Sequence, residues 1–183
     1  MTATVLDPRT ALIVVDLQKG ITALPAAHPA ADVIANAATL ADAFRAKGLP
    51  VVLVRVTGGA PGRTEGPARS GQPAADWAEI VPEMGPGEGD IIVTKQQWGA
   101  FYGTDLDLQL RRRGVTQVVV AGIATSIGVE STARSAHEHG YHVTLATDAM
   151  TDMSGEAHDN SVQRIFPRLG ETGTTDEIVK LLG

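Results

Sequence analysis

The stretch VVVAGIATSIGVESTARSAHEHG, residues 118–140, decides the fold. Its first residues are apolar at successive positions, as expected for a strand covered by helices on both faces. Small residues then make a turn, and a helix over 126–139 follows, closed by Gly140. A strand that passes through a small-residue turn into a helix belongs to a parallel α/β sheet, and such turns often present a nucleophile. This one offers only Thr125, Ser126 and Gly128.

The same alternation recurs outward from that stretch. Short Val- and Ile-rich runs stand at 11–16 (ALIVVD), 50–56 (PVVLVRV), 90–94 (DIIVT), 117–122 (QVVVAG) and 142–148 (HVTLATD). Helical patterns over 30–47, 104–113, 126–139 and about 155–166 separate them, which predicts βαβ units. A weaker sixth strand is expected near 168–172, and Thr174 with Glu177 reads as a capping box that opens the last helix. The predicted architecture is one α/β domain over residues 1–183: a parallel sheet of about six strands with helices on both faces, a Rossmann-like three-layer arrangement. Residues 57–73 are crowded with Gly and Pro and read as an irregular surface loop or lid.

Composition narrows the partners. A length of 183 residues suits a single domain. With 15 Lys and Arg against 21 Asp and Glu, the net charge of −6 repels a phosphate backbone, and no basic stripe with interleaved aromatics occurs. The first ten residues, MTATVLDPRT, lack the basic start and apolar core of a leader, and no apolar run approaches the roughly 18 residues of a membrane span. A cytoplasmic location is expected, with neither nucleic acid nor a membrane as partner. Cysteine is absent, which removes disulfides, thiolate metal sites and cysteine nucleophiles together.

Ligands of doubly wound sheets bind outside the carboxyl ends of the strands, so polar residues there are the candidates. Asp16 closes the first strand and Lys95 follows the third. A receiver-type reading of Asp16 fails for want of a second carboxylate to hold a divalent ion. No G-x-G-x-x-G follows the first strand, which removes a dinucleotide site. Beside Lys95 stand Trp98, Phe101 and Tyr102, three of the chain's seven aromatic residues (two Trp, two Tyr, three Phe). They are expected to line a pocket, with a small satellite core as the alternative. His137, His139 and His142 do not converge as metal ligands would, because positions two apart on a helix face different ways. Arg111, Arg112 and Arg113 suit a helix carboxyl terminus. A rival chemistry remains at the turn: Ala124-x-Ser126-x-Gly128 is a relaxed nucleophile elbow, followed by Asp148 and His158 in the order of α/β-hydrolase triads.

Over nearly its whole length the chain resembles the isochorismatase-like hydrolase family. The resemblance is carried by ALIVVDLQKGI and by VTKQQWGAFYGTDLDLQLRRRGVTQVVVAGIATSIGVESTARSAHEHGYHVTLATDAMTD, in that order and separation. It implies a parallel sheet with helices on both sides. In the amidase branch, which includes nicotinamidases, an Asp, a Lys and a nucleophilic Cys act together. By that resemblance Asp16 and Lys95 take the first two places and Gly128 stands at the nucleophile's. The Asp-x-His metal segment of nicotinamidases is absent, which makes nicotinamide a poor substrate; no metal and no cofactor are expected.

Isochorismatases proper also have Gly at this turn, and their reaction needs a positioned acid rather than a nucleophile. The resemblance therefore implies hydrolysis of an enolpyruvyl ether, with Asp16 as the acid. Burial would raise the pKa of Asp16 and a nearby Lys95 would lower it. Lys95 is assigned to a substrate carboxylate or hydroxyl, with Arg55 as a second cation. Gln18, Trp98, Phe101, Ala124, Thr125 and Ser126 are assigned to the substrate pocket. The substrate is expected to be a small carboxylate-bearing molecule. A non-proline cis peptide at Ile123–Ala124 and a homo-oligomer are also implied. One departure stands out: isochorismatases have an aromatic residue where this chain has Ala124, and ATSIGVESTARSA otherwise follows the amidase-like branch. The alternative is a member that lost its nucleophile and binds a ligand without turning it over.

Overall fold

Six runs become strands: β1 (Thr10–Val15), β2 (Val51–Val56), β3 (Ile91–Lys95), β4 (Gln117–Ile123), β5 (His142–Thr151) and β6 (Glu171–Gly173). In this computed structural model, which describes residues 3–66 and 73–183, all six are parallel and lie in the order β3-β2-β1-β4-β5-β6. The chain winds outward from β1 through β2 to β3, then returns to place β4 on the other side of β1. That reversal opens a crevice at the carboxyl ends of β1 and β4, where ligands of such sheets bind.

Among the described residues seven α-helices accompany the sheet: α1 (Lys19–Thr22), α2 (Ala30–Ala46), α3 (Leu106–Arg112), α4 (Glu130–Glu138), α5 (Gly155–Asn160), α6 (Phe166–Leu169) and α7 (Thr175–Leu181). Ile13, Val15, Val52 and Val54 face α3 and α4 through Leu106, Leu110, Ala133 and Ala136. Leu12, Val14, Val51 and Leu53 face α2 and α7 through Val33, Leu40, Phe44 and Ile178. Alternation along β1, β2, β4 and β5 thus feeds two cores, one per face, and this is why these strands are apolar at consecutive positions, whereas the edge strand β3 buries Ile91 and Val93 and leaves Ile92 exposed. Burying one side chain such as Phe44 stabilises the fold by about 1.5–3 kcal/mol.

The differences from expectation lie at element ends. β3 extends to Lys95, so this residue is the last of the strand. β5 runs on to Thr151 because its pairing with β4 jumps from Val120–Leu145 to Gly122–Met150, an irregularity that period-two reading does not anticipate. The helix expected at 126–139 begins as a wide π-type turn over Thr125–Val129 before α4. The helix expected near 155–166 is α5, a second wide turn over Ser161–Ile165, and then α6 with a proline in its first turn. Proline has no N–H to continue the preceding ladder. The capping box at Thr174 and Glu177 is present. Residues 57–64 form neither helix nor strand, while 67–72 of the expected 57–73 loop lie outside the described residues. Among the described residues no helix is long and apolar enough to cross a membrane.

Candidate active site

β1 delivers Asp16 to the crevice in an unusual backbone state. Its φ of 53° is the single positive value among non-glycine described residues, a conformation that Asp tolerates better than most and that costs energy wherever it occurs. Gly122, beside Val15 on β4, permits this crowding: a Cβ there would lie 2.0 Å from the Val15 carbonyl oxygen. β3 delivers Lys95 from two strands away. Its Nζ lies 2.8 Å from Asp16 Oδ2 and donates to the Trp98 carbonyl at 2.6 Å. Both side chains are nearly excluded from solvent, with Asp16 6% and Lys95 2% exposed.

Asp16 Oδ1 has no hydrogen-bond partner among the described residues. Burial pushes the Asp16 carboxyl up from 3.8 to about 6, and the Lys95 ammonium, by charge and by hydrogen bond, opposes that rise. Desolvation therefore wins over the ion pair, and the proton-bearing form of Asp16 is populated near neutrality.

The turn after β4 closes over the pair. Ile123–Ala124 is a cis peptide. Gly128 is buried, and a Cβ there would meet Val15 Cγ1 at 3.0 Å, Asp16 Oδ2 at 3.3 Å and Lys95 Nζ at 3.4 Å. The position is thus adjacent to the ion pair and holds no side chain. Thr132 Oγ1 donates to the Gly128 carbonyl at 2.7 Å and accepts from the Ala100 N–H at 3.1 Å, which joins the turn to the loop after β3.

Several residues expected in the pocket have other tasks. Gln18 is fully buried, and its amide is spent on backbone: Oε1 accepts from the Val56 N–H at 2.8 Å, while Nε2 donates to the carbonyls of Val56 at 3.1 Å and Trp77 at 3.2 Å. Arg55 pairs in register with Thr94 and donates to its Oγ1 at 3.0 Å, whereas Val56 pairs with Lys95. Because side chains alternate, Arg55 projects from the face opposite Lys95. Phe101 joins the core, with ring centroids 5.2 Å from His139 and 6.0 Å from Tyr141. Trp98 contributes a carbonyl while the residue is 65% exposed, and Tyr102 is 83% exposed. The expected aromatic lining is thus corrected: the satellite-core alternative describes Phe101, and the other two rings stand at the surface.

The triad alternative is not assembled. Ser126 Oγ and the Ser126 N–H both donate to Asp152 Oδ2 at 2.8 Å. Asp148 instead accepts from the N–H and Oγ1 of Thr175 at the start of α7. His158 Nδ1 lies 2.9 Å from Thr125 Oγ1, and burial first, then the charge of His28, holds its imidazole below the usual value. Sequence reasoning missed Asp152 because it ended β5 four residues earlier. It missed Val15, which shields Gly128, because nothing distinguishes it from other strand valines.

Two clefts of about 530 and 500 Å³ lie at the opposite, amino-terminal edge of the sheet. Arg9, Arg45 and Arg113 line one, and His137, Tyr141 and His142 the other. Neither includes Asp16, Lys95 or Gly128. The chemistry of buried groups, rather than cleft size, therefore locates the candidate site. Among the described residues no group of three or more His, Cys, Asp or Glu could hold a metal ion.

Residues 10–177 match the Isochorismatase domain family. The chain belongs to the isochorismatase family. It is 49% identical over 179 residues to the uncharacterized isochorismatase family protein YwoC of Bacillus subtilis (strain 168), covering 94% of this chain and 93% of that one. An isochorismatase family protein structure from Burkholderia thailandensis superposes with a TM-score of 0.93 at 43% identity, over 97% of both chains. An N-carbamoylsarcosine amidase structure from Thermoplasma acidophilum superposes with a TM-score of 0.76 at 28% identity, over 92% of this chain and 97% of that one. The chain thus shares its fold with an amidase, and it has that fold around a candidate site with no side chain at position 128.

Proposed function

We propose that this isochorismatase-family hydrolase cleaves an isochorismate-like enolpyruvyl ether by acid catalysis, without a protein nucleophile. The observation that carries this reading is the buried, unpartnered Oδ1 of Asp16 beside the side-chain-free Gly128. Protonated Asp16 delivers its proton to the methylene carbon of the vinyl ether, leaving an oxocarbenium ion. Water adds to that cation, and the hemiketal collapses to pyruvate and an alcohol while a proton returns to Asp16. As the proton leaves, the new carboxylate finds Lys95 Nζ already 2.8 Å away, so the ion pair strengthens in the transition state rather than before it. With a value near 6, roughly one Asp16 in ten carries a proton at pH 7.

Amide hydrolysis by the cysteine route has no atom to begin it here, since a Gly has no nucleophile. A small substrate bearing a carboxylate suits the remaining N–H of Lys95, which has two named partners and three donors. A homo-oligomer suits the apolar side chains exposed around the crevice, Leu24, Trp98, Tyr102, Ile127 and Met153. Pyruvate release from isochorismate, followed with lactate dehydrogenase, tests the reading: turnover lost in Asp16→Ala supports it, and none in the native protein sinks it. The second reading, a member that binds without turnover, is favoured by the same empty position 128. It predicts thermal stabilisation by an uncleavable isochorismate analogue together with no pyruvate.

A further inference from the structure

The acid mechanism gives no task to the carboxylate of Asp152. This residue is 3% exposed and has no ion-pair partner among the described residues. Its Oδ2 receives both the N–H and the hydroxyl of Ser126 at 2.8 Å, its Oδ1 receives the Ser154 N–H at 3.2 Å, and its carbonyl receives the Ala27 N–H at 2.8 Å. A buried charge without a cation is costly, and hydrogen bonds to a charged acceptor are roughly twice as strong as neutral ones. The chain therefore places two hydrogen bonds to one buried carboxylate on the residue two positions before Gly128. The backbone at Gly128 is in turn the wall against which Asp16 Oδ2 and Lys95 Nζ are buried.

We propose that Asp152 is a positioning residue for Asp16: by clamping Ser126 it holds the Gly128 turn against the Asp16–Lys95 pair and keeps the acid dry. Thr125, held by His158 Nδ1 at 2.9 Å, is the neighbouring point of attachment to the same segment. The catalytic consequence rests on Asp16 being the acid, whereas the effect on its hydration does not depend on any substrate.

The test is a carbon-13 NMR titration of the Asp16 carboxyl, assigned by its loss in Asp16→Asn, in the native protein, Ser126→Ala, Asp152→Ala and the control Asp148→Ala. The native group titrates at about 6. In both turn variants its midpoint moves down toward 3.8, because water reaches the carboxylate. Ser126→Ala alters no charge, so its shift reports hydration and not the removal of a neighbouring carboxylate. Asp148→Ala removes hydrogen bonds to Thr175 at the start of α7, none of them to the turn, and lowers the melting temperature, but leaves the Asp16 midpoint at about 6. An Asp16 midpoint unchanged in folded Ser126→Ala and Asp152→Ala overturns the proposal. If Asp152→Ala does not fold, Ser126→Ala alone decides. Where isochorismate is turned over, a midpoint lowered from about 6 to about 5 reduces kcat at pH 7 about tenfold with little change in KM. A shifted midpoint in a protein that releases no pyruvate leaves the clamp standing and removes the ether-hydrolysis reading instead.

Discussion

Lys95 Nζ and Asp16 Oδ2 lie 2.8 Å apart in an ion pair nearly closed to solvent, yet the other Asp16 oxygen has no partner among the described residues. Under the proposed acid mechanism this asymmetry gives the carboxyl two functions. One oxygen is held by the cation, and the other is left to exchange a proton. Desolvation outweighs the cation's pull, so the group titrates at about 6 rather than at 3.8.

The pH dependence of catalysis follows directly. If Asp16 must be protonated, kcat/KM for isochorismate is level below about pH 6 and falls tenfold per pH unit above it. A pH–rate profile checks this, and a flat profile between pH 6 and 8 sinks the assignment of the acid to Asp16.

Removing the proton donor while keeping its shape gives a second outcome. Asp16→Asn cannot deliver a proton, so the rate falls by about 10²- to 10⁴-fold, the usual contribution of a general acid. Steady-state pyruvate release measures it, and full activity in this variant refutes acid catalysis by Asp16.

Stability carries the opposite signature from most carboxylates. Asp16 binds its proton more tightly in the folded chain than in the unfolded chain, where the value is near 3.8. Its contribution is therefore fully present below pH 3.8 and is lost as pH rises through about 6, a change of about 3 kcal/mol. Asp16→Asn lacks this slope. Urea unfolding of the two proteins at pH 4 and at pH 7 should show the variant gaining on the native chain by that order, and parallel curves would contradict the raised value.

Two glycines, Gly122 near the end of β4 and Gly128 in the turn that follows, differ in what they tolerate. Gly122 has φ 118° and a Cβ there would lie 2.0 Å from the Val15 carbonyl, so Gly122→Ala is expected to prevent stable folding. Gly128 has no such φ, and its tightest neighbour is the Val15 Cγ1 at 3.0 Å. Gly128→Ala should fold with a loss of about 1–3 kcal/mol, as for mild overpacking. Thermal melts of both variants decide.

Ser126 should be inert to fluorophosphonates. Its hydroxyl donates to the Asp152 carboxylate, and the imidazole of His158 lies instead at Thr125, so the base of a triad is not aligned with it. Mass spectrometry of the treated protein checks the site, and a covalent adduct on Ser126 would restore the serine hydrolase.

Residue pattern was sufficient for the first five strands, because runs of apolar residues reflect burial under helices, a requirement local enough to be read from each run, whereas β6, Glu171–Gly173, has no apolar run and was placed only approximately. It also pointed to Asp16 and Lys95, since both occupy strand ends where doubly wound sheets bind ligands. It could not say that Gln18 spends its amide on Val56 and Trp77, or that Phe101 turns into the core, because those choices are made by partners 38 and 59 residues away for Gln18 and by the packing of α3 and α4 for Phe101. Asp152 was hidden by the register jump in β5, an irregularity with no period to detect.

The strand-rich runs, their covering by helices and the absence of a thiol nucleophile belong to the chain's own pattern of residues. The protonation of Asp16 belongs to the fold. Burial and the Lys95 charge act on it in opposite directions, and their balance depends on distances between β1, β3 and the turn after β4 that exist only once the sheet has closed around them.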